Sequence, residues 1–123
     1  MNALEDKKFD LEERTACFGE NIIKFCKQIK ETTITRPLIN QIVKSATSVG
    51  ANYCEANGAS SKKDFQNKIY ICKKEIQETK HWLRMISTAE PEKREEAKKL
   101  WKESQELTLI FGKIASSLKN NKN

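Results

Sequence analysis

The stretch from Glu75 to His81 gathers the residue types that most readily do chemistry on a helix. Glu78 and His81 stand in the Glu-x-x-His spacing that sets a carboxylate and an imidazole on one helical face, with Glu75 one turn earlier, as in di-iron and di-manganese bundles. Such a centre needs a second Glu-x-x-His and two further inward glutamates. The chain has one histidine, and the helical register puts His81 near the outer face of its helix. The expectation is therefore no metal and no cofactor, with His81 a solvated or interface residue. Nucleophilic catalysis has less still to work with. The sequence has no G-x-S-x-G elbow, no Cys/His pair and no phosphate-cradling glycine loop, and its helical serines lack a base. No catalytic residue is expected, and the protein is read as a non-enzyme.

The four cysteines, Cys17, Cys26, Cys54 and Cys72, form no C-x-x-C pair that would suggest zinc or a redox motif. Each lies on or beside an apolar helical stripe, so they read as reduced thiols serving as small core residues in a cytoplasmic protein. The first twenty residues mix both charge signs without the apolar run of a secretory leader. No stretch approaches the ~20 apolar residues of a membrane helix.

A third chemistry is electrostatic. The net charge is +6, from 23 basic and 17 acidic residues, and it is unevenly placed. Residues 62–89 carry seven bases and three acids, whereas residues 1–34 carry six and seven. One face of the helix read over 61–88 presents Lys63, Gln66, Tyr70, Lys73, Lys74, Gln77, Lys80, His81 and Arg84. Cations around an aromatic ring can neutralise phosphates while the ring stacks on a base, the combination used for sequence-tolerant binding of RNA or DNA. Lys63, Tyr70, Lys73, Lys74, Lys80 and Arg84 are the candidate contacts. The alternative is a solvated basic face that serves solubility.

The elements that must position these residues are helices. With 123 residues, four Gly and two Pro, the chain is one domain at most, and an α/β enzyme rich in glycine loops is excluded. The mean hydropathy of −0.72 would suit a disordered chain, but the apolar residues are periodic. Leu11, Thr15, Phe18, Ile22, Phe25 and Ile29 follow Asp10 as N-cap and predict a helix over about 10–31. Thr35 as cap and Pro37 in the first turn open a second over about 35–56, with seam Ile39, Ile42, Ala46, Val49 and Tyr53, closed by Asn57-Gly58. Ser61 and Asp64 approximate a capping box for a third over about 61–88, carried by Phe65, Ile69, Cys72, Ile76, Thr79, Leu83 and Ile86. Pro91 limits it, and Ala97, Leu100, Ser104, Leu107, Phe111, Ile114 and Leu118 predict a fourth over about 91–119, with a frayed tail from Lys119. Short connections make this an all-α, antiparallel up-down-up-down four-helix bundle forming a single domain over 1–123.

Two helices carry a second stripe, and the fourth shows Trp101, Leu109 and Ile110 outside its main one. Beside the core stripe of the third lie Ile71, Glu75, Glu78, Trp82 and Met85, and beside that of the second lie Gln41, Ser45, Ser48, Asn52 and Glu55. These shoulders are either a wide core face with a polar edge or subunit interfaces. In the second case Trp82 and Met85 bury apolar area and the polar residues set register.

The segments QIVKSATSVGANYCE (41–55), SKKDF (61–65) and ICKKEIQE (71–78) resemble the small four-helix bundle family first known from intervening sequences in bacterial 23S rRNA genes. Its most specific signature, a basic residue followed by Ser-Val-x-Ala-Asn-x-x-Glu, is matched by Lys44, Ser48, Val49, Ala51, Asn52 and Glu55. The family more often reads Glu-Gly at this helix end. Here Glu55-Ala56-Asn57-Gly58 moves the turn glycine later, with no change of fold expected. The resemblance implies a homo-oligomeric ring, commonly a pentamer, with no accepted enzymatic activity and an undefined cellular role. A similar branch, the accessory protein of diversity-generating retroelements, implies nucleic acid and a reverse transcriptase as partners. By the same resemblance Ser48, Asn52, Glu55, Glu75 and Glu78 form a hydrogen-bonded network between helices or subunits. Five copies would carry about +30, a charge suited to a polyanion.

Overall fold

The structure, a computed structural model, describes residues 10–120. Four α-helices occupy them, α1 (Leu11–Lys27), α2 (Thr35–Asn57), α3 (Lys62–Ala89) and α4 (Arg94–Asn120), with a short 3₁₀ turn (Pro91–Lys93) leading into α4. Among the described residues there is no strand. α4 is described as far as Asn120, and the remainder of the tail expected to fray lies outside the described residues.

Consecutive helices run antiparallel. Between α2 and α3, Ser45 meets Thr79, the Val49 carbonyl meets Cys72, and Glu55 meets Lys68, so numbering rises on one helix as it falls on the other. Between α3 and α4, Lys80 reaches Trp101 and Gln105, whereas Lys73 and Gln77 face Thr108 and Lys113. Between α1 and α2, Gly19 lies against Thr47 and Gly50 against Thr15. A Cβ on either glycine would stand 3.5–3.6 Å from the facing backbone, at ordinary van der Waals contact. The α2–α3 pairing is the most extensive, and α1 touches α4 least. There Arg14 supplies the clamp. Its Nε and Nη2 each donate to a carboxylate oxygen of Glu103 at 2.8 Å, and Nη2 also reaches Glu106 at 3.2 Å.

The seams meet in one core. All six predicted α1 positions are buried, as are Ile42, Ala46 and Val49 of α2, Ile69 to Ile86 at every seam position of α3, and Ala97, Ser104, Leu107 and Phe111 of α4. Ile39, Tyr53, Phe65, Leu100 and Ile114 pack against its edges. Each fully buried Leu or Ile contributes about 1.5–3 kcal/mol relative to exposure. Polar seam positions are bonded locally. Ser104 donates to the Leu100 carbonyl, and Thr79 donates to that of Glu75 while sharing a 2.8 Å hydrogen bond with Ser45.

The α1–α2 junction differs from the expected one. α1 stops at Lys27, and Thr32, not Thr35, acts as the cap of α2. The Thr32 hydroxyl accepts from the amides of Ile34 and Thr35, and its carbonyl accepts from the amide of Arg36. Thr35, buried in the first turn, donates instead to the Lys30 carbonyl at 2.7 Å. Two threonine hydroxyls thus satisfy backbone groups that a continuing helix would have paired, which stabilises the chain reversal. Ser61 and Asp64 cap α3 as expected, except that Asp64 returns its bond to the Ser60 amide. Gly58 closes α2 at a φ of −101°, without a left-handed turn.

Candidate nucleic-acid interface

Antiparallel packing of α3 on α4 converts the basic side of α3 into one wall of a groove. Lys73 and Gln77 line that wall. The opposite wall brings Thr108, Leu109, Lys113, Ser116 and Ser117 from α4, with Gly112 between them, around a volume of about 800 Å³. Among the described residues no carboxylate lines it. On the far side of the bundle the groove between α1 and α2, about 560 Å³, is rimmed instead by Glu12, Glu13 and Glu20. The two grooves thus differ in the sign of the charged side chains that line them.

The predicted cations occupy different situations. Lys63, Lys74 and Arg84 are exposed and Lys73 is half-buried at the groove. Lys80 is held: its ammonium lies 4.8 Å from the centroid of Trp101 and donates to the Gln105 side chain. Such a cation–π contact, worth roughly 0.5–2 kcal/mol, ties α3 to α4 and leaves Lys80 less free for a phosphate. Tyr70 is exposed, and its hydroxyl accepts from the Gln66 amide at 3.3 Å. Of the α4 residues of the groove, Leu109 stands out in the sequence as apolar and off the core seam, whereas Thr108, Lys113, Ser116 and Ser117 do not. A signal for Lys113 was still present, since it lies one helical turn from Leu109 off the core seam.

On the other side of α3 the five residues expected to form a network, Ser48, Asn52, Glu55, Glu75 and Glu78, do not join into one interhelical network within the chain. Ser48 donates to the Lys44 carbonyl and Asn52 to that of Ser48, both inside α2. Glu55 pairs with Lys68 of α3 at 3.1 Å. Partial burial, then the neighbouring Glu78, push the Glu75 carboxyl above its usual range, while Lys74 and Lys44 pull it back. Trp82 and Met85 are half-buried, with Trp82 edge-on to His81 at 4.9 Å, and Ile71 is exposed.

The thiols divide. Cys26 and Cys72 are core residues, but Cys17 and Cys54 are exposed, correcting the expectation of four core cysteines. Each of the exposed pair lies one position off a core seam, where a 100° turn moves a side chain from core to surface. Burial pushes Cys26 up to about 11 and Cys72 to about 12. Hydrogen bonds to Glu13 and Glu12 raise Cys17 and Cys54 respectively. None of the four is an activated nucleophile. Among the described residues no three metal-ligating side chains gather, and no helix is long and apolar enough to cross a membrane.

These features define a class, an antiparallel four-helix bundle with no assembled reaction centre among its described residues. Within that class the chain belongs to the 23S rRNA-intervening sequence protein family, whose model matches residues 7–113. It is also similar to a solved structure from Bacteroides thetaiotaomicron, a protein with unknown function from the S23 ribosomal protein family. The two are 31% identical with a TM-score of 0.75, over 85% of this chain and 96% of that one. No curated protein matches.

Proposed function

We propose that the protein acts by binding rather than catalysis, as an oligomer in the cytoplasm that holds RNA or DNA through the basic side of α3. The observation that carries this reading is the carboxylate-free groove beside Lys73, opposite an α1–α2 face rimmed by glutamates. Lys63, Lys74 and Arg84 extend the cationic surface beyond the groove. Phosphate contacts of this kind position a nucleic acid without reading its sequence. The α2–α3 shoulder is the contact with further copies, because exposed Ile71 and half-buried Trp82 and Met85 continue the apolar core outward.

The test is retention of RNA and DNA at low salt by protein of known native mass. Lys63→Glu, Lys73→Glu, Lys74→Glu and Arg84→Glu together abolish retention while the helical spectrum stays unchanged. Equal retention by this variant overturns the nucleic-acid reading. Ile71→Lys lowers the native mass, and a wild type that is a strict monomer overturns the shoulder as an interface.

A further inference from the structure

The groove holds more than charge. Leu109 (59% exposed) lines it, and two further exposed aromatic side chains flank it, Trp101 (41%) against Lys80 and Tyr70 (45%) one turn before Lys73 on α3. Helix register gives their order. Lys80 meets Trp101, and Lys73 shares the groove with Leu109 and Lys113. Tyr70 lies one turn before Lys73, and ten residues separate Tyr70 from Lys80, about 15 Å along the axis. Apolar and cationic groups therefore alternate: Tyr70, then Lys73 with Lys113, then Leu109, then Lys80 with Trp101. A double helix hides its base faces and offers phosphates and groove edges, so it would use the lysines and leave these side chains in water. A single strand offers unstacked bases and phosphates in alternation.

We infer that the α3–α4 groove is a track for single-stranded nucleic acid, with Lys73 and Lys113 taking phosphates and Tyr70, Leu109 and Trp101 taking bases. The inference rests on the polyanion reading above and narrows it in two ways: it moves the contact from the crest of α3 into the groove, and it names the strand form. Two side chains are already set for this role. The Gln66 amide bonds the Tyr70 hydroxyl, which steadies the ring. Lys80 sits over the Trp101 indole, which is still 41% exposed, so a base meeting that ring also meets a nearby positive charge.

Gly112 supplies a clean probe of the groove. A Cβ built there meets nothing within 4 Å, and glycine is the poorer residue in a helix interior. Gly112→Leu therefore fills the groove without crowding the core, and Gly112→Ala serves as the control that barely intrudes.

The experiment is fluorescence anisotropy with labelled oligothymidylate and oligouridylate of about 20 nucleotides, and a duplex of equal length, at matched salt. Wild type binds the single strands about tenfold more tightly than the duplex. Gly112→Leu, Tyr70→Ala and Leu109→Ala each weaken single-strand binding about tenfold, leave duplex binding and helicity unchanged, and Gly112→Ala matches wild type. Equal affinity for duplex, or an unaffected Gly112→Leu, overturns the inference while the polyanion reading stands. Failure to bind any of the three probes overturns both. Displacement of bound oligonucleotide by polyglutamate of equal charge as effectively as by unlabelled single strand assigns the groove to an acidic protein and also overturns the inference.

Discussion

The Ser45–Thr79 hydroxyl pair is the polar centre of the most extensive helix pairing, and its energetics can be worked from the geometry. Thr79 is fully buried and Ser45 is 2% exposed, with their oxygens 2.8 Å apart. Each also has an acceptor on its own helix, the Glu75 carbonyl at 2.9 Å from Thr79 and the Ile42 carbonyl at 3.3 Å from Ser45. Two hydroxyls carry two protons, so one proton joins the pair and the other goes to a backbone carbonyl. Ser45→Ala or Thr79→Val removes the interhelical bond but leaves the survivor a carbonyl partner. Each single substitution should therefore cost about 1 kcal/mol, below the ~1–3 kcal/mol of a fully stranded buried group. The double variant loses the same bond once, so it should cost about as much as either single, a coupling of about 1 kcal/mol. At roughly 4 °C per kcal/mol for a chain of this size, that is a modest fall in Tm. Urea unfolding followed by circular dichroism at constant m resolves it. Strictly additive effects, or two neutral single variants, would refute the reasoning.

Other outcomes follow from the same structure. Arg14→Ala should destabilise by about 1 kcal/mol, with much of the effect lost in high salt, because the Glu103 clamp joins two side chains that are each about one-third exposed; thermal melts at two ionic strengths check this. In the native protein, mass spectrometry after alkylation should show Cys17 and Cys54 modified, faster as pH rises, with Cys26 and Cys72 protected until unfolding. Because Glu75 has a raised pKa in the folded state, its stabilising contribution is full below the unfolded carboxylate range and fades as pH rises through the folded value. Glu75→Gln should accordingly be more stable than wild type at neutral pH, with the difference shrinking towards acid in parallel denaturant titrations.

Burial was legible because it is periodic. A seam such as Leu11 to Ile29 reports one helical face, and all six of its positions are buried. The α1–α2 turn was harder to read, since Thr32, Thr33 and Thr35 offer competing hydroxyls and only the chain reversal decides that Thr32 takes the cap. The groove was half legible. Lys73 and Tyr70 could be placed on a face of α3, but whether Lys80 is free depends on Trp101 and Gln105 of another helix. Interhelical register is a tertiary property that no single-helix pattern contains. For the same reason Leu109 could be seen to lie off the core seam of α4, but its meeting with Lys73 across the groove required α3 and α4 to be docked.

The most direct test of a basic groove that holds nucleic acid is the salt dependence of oligothymidylate binding for wild type and for Lys73→Gln with Lys113→Gln. Wild type should show affinity falling linearly with salt on logarithmic axes, and removal of two phosphate contacts should flatten the slope by about 1.4. Binding too weak to detect at low salt, or the same slope in both proteins, would contradict the account.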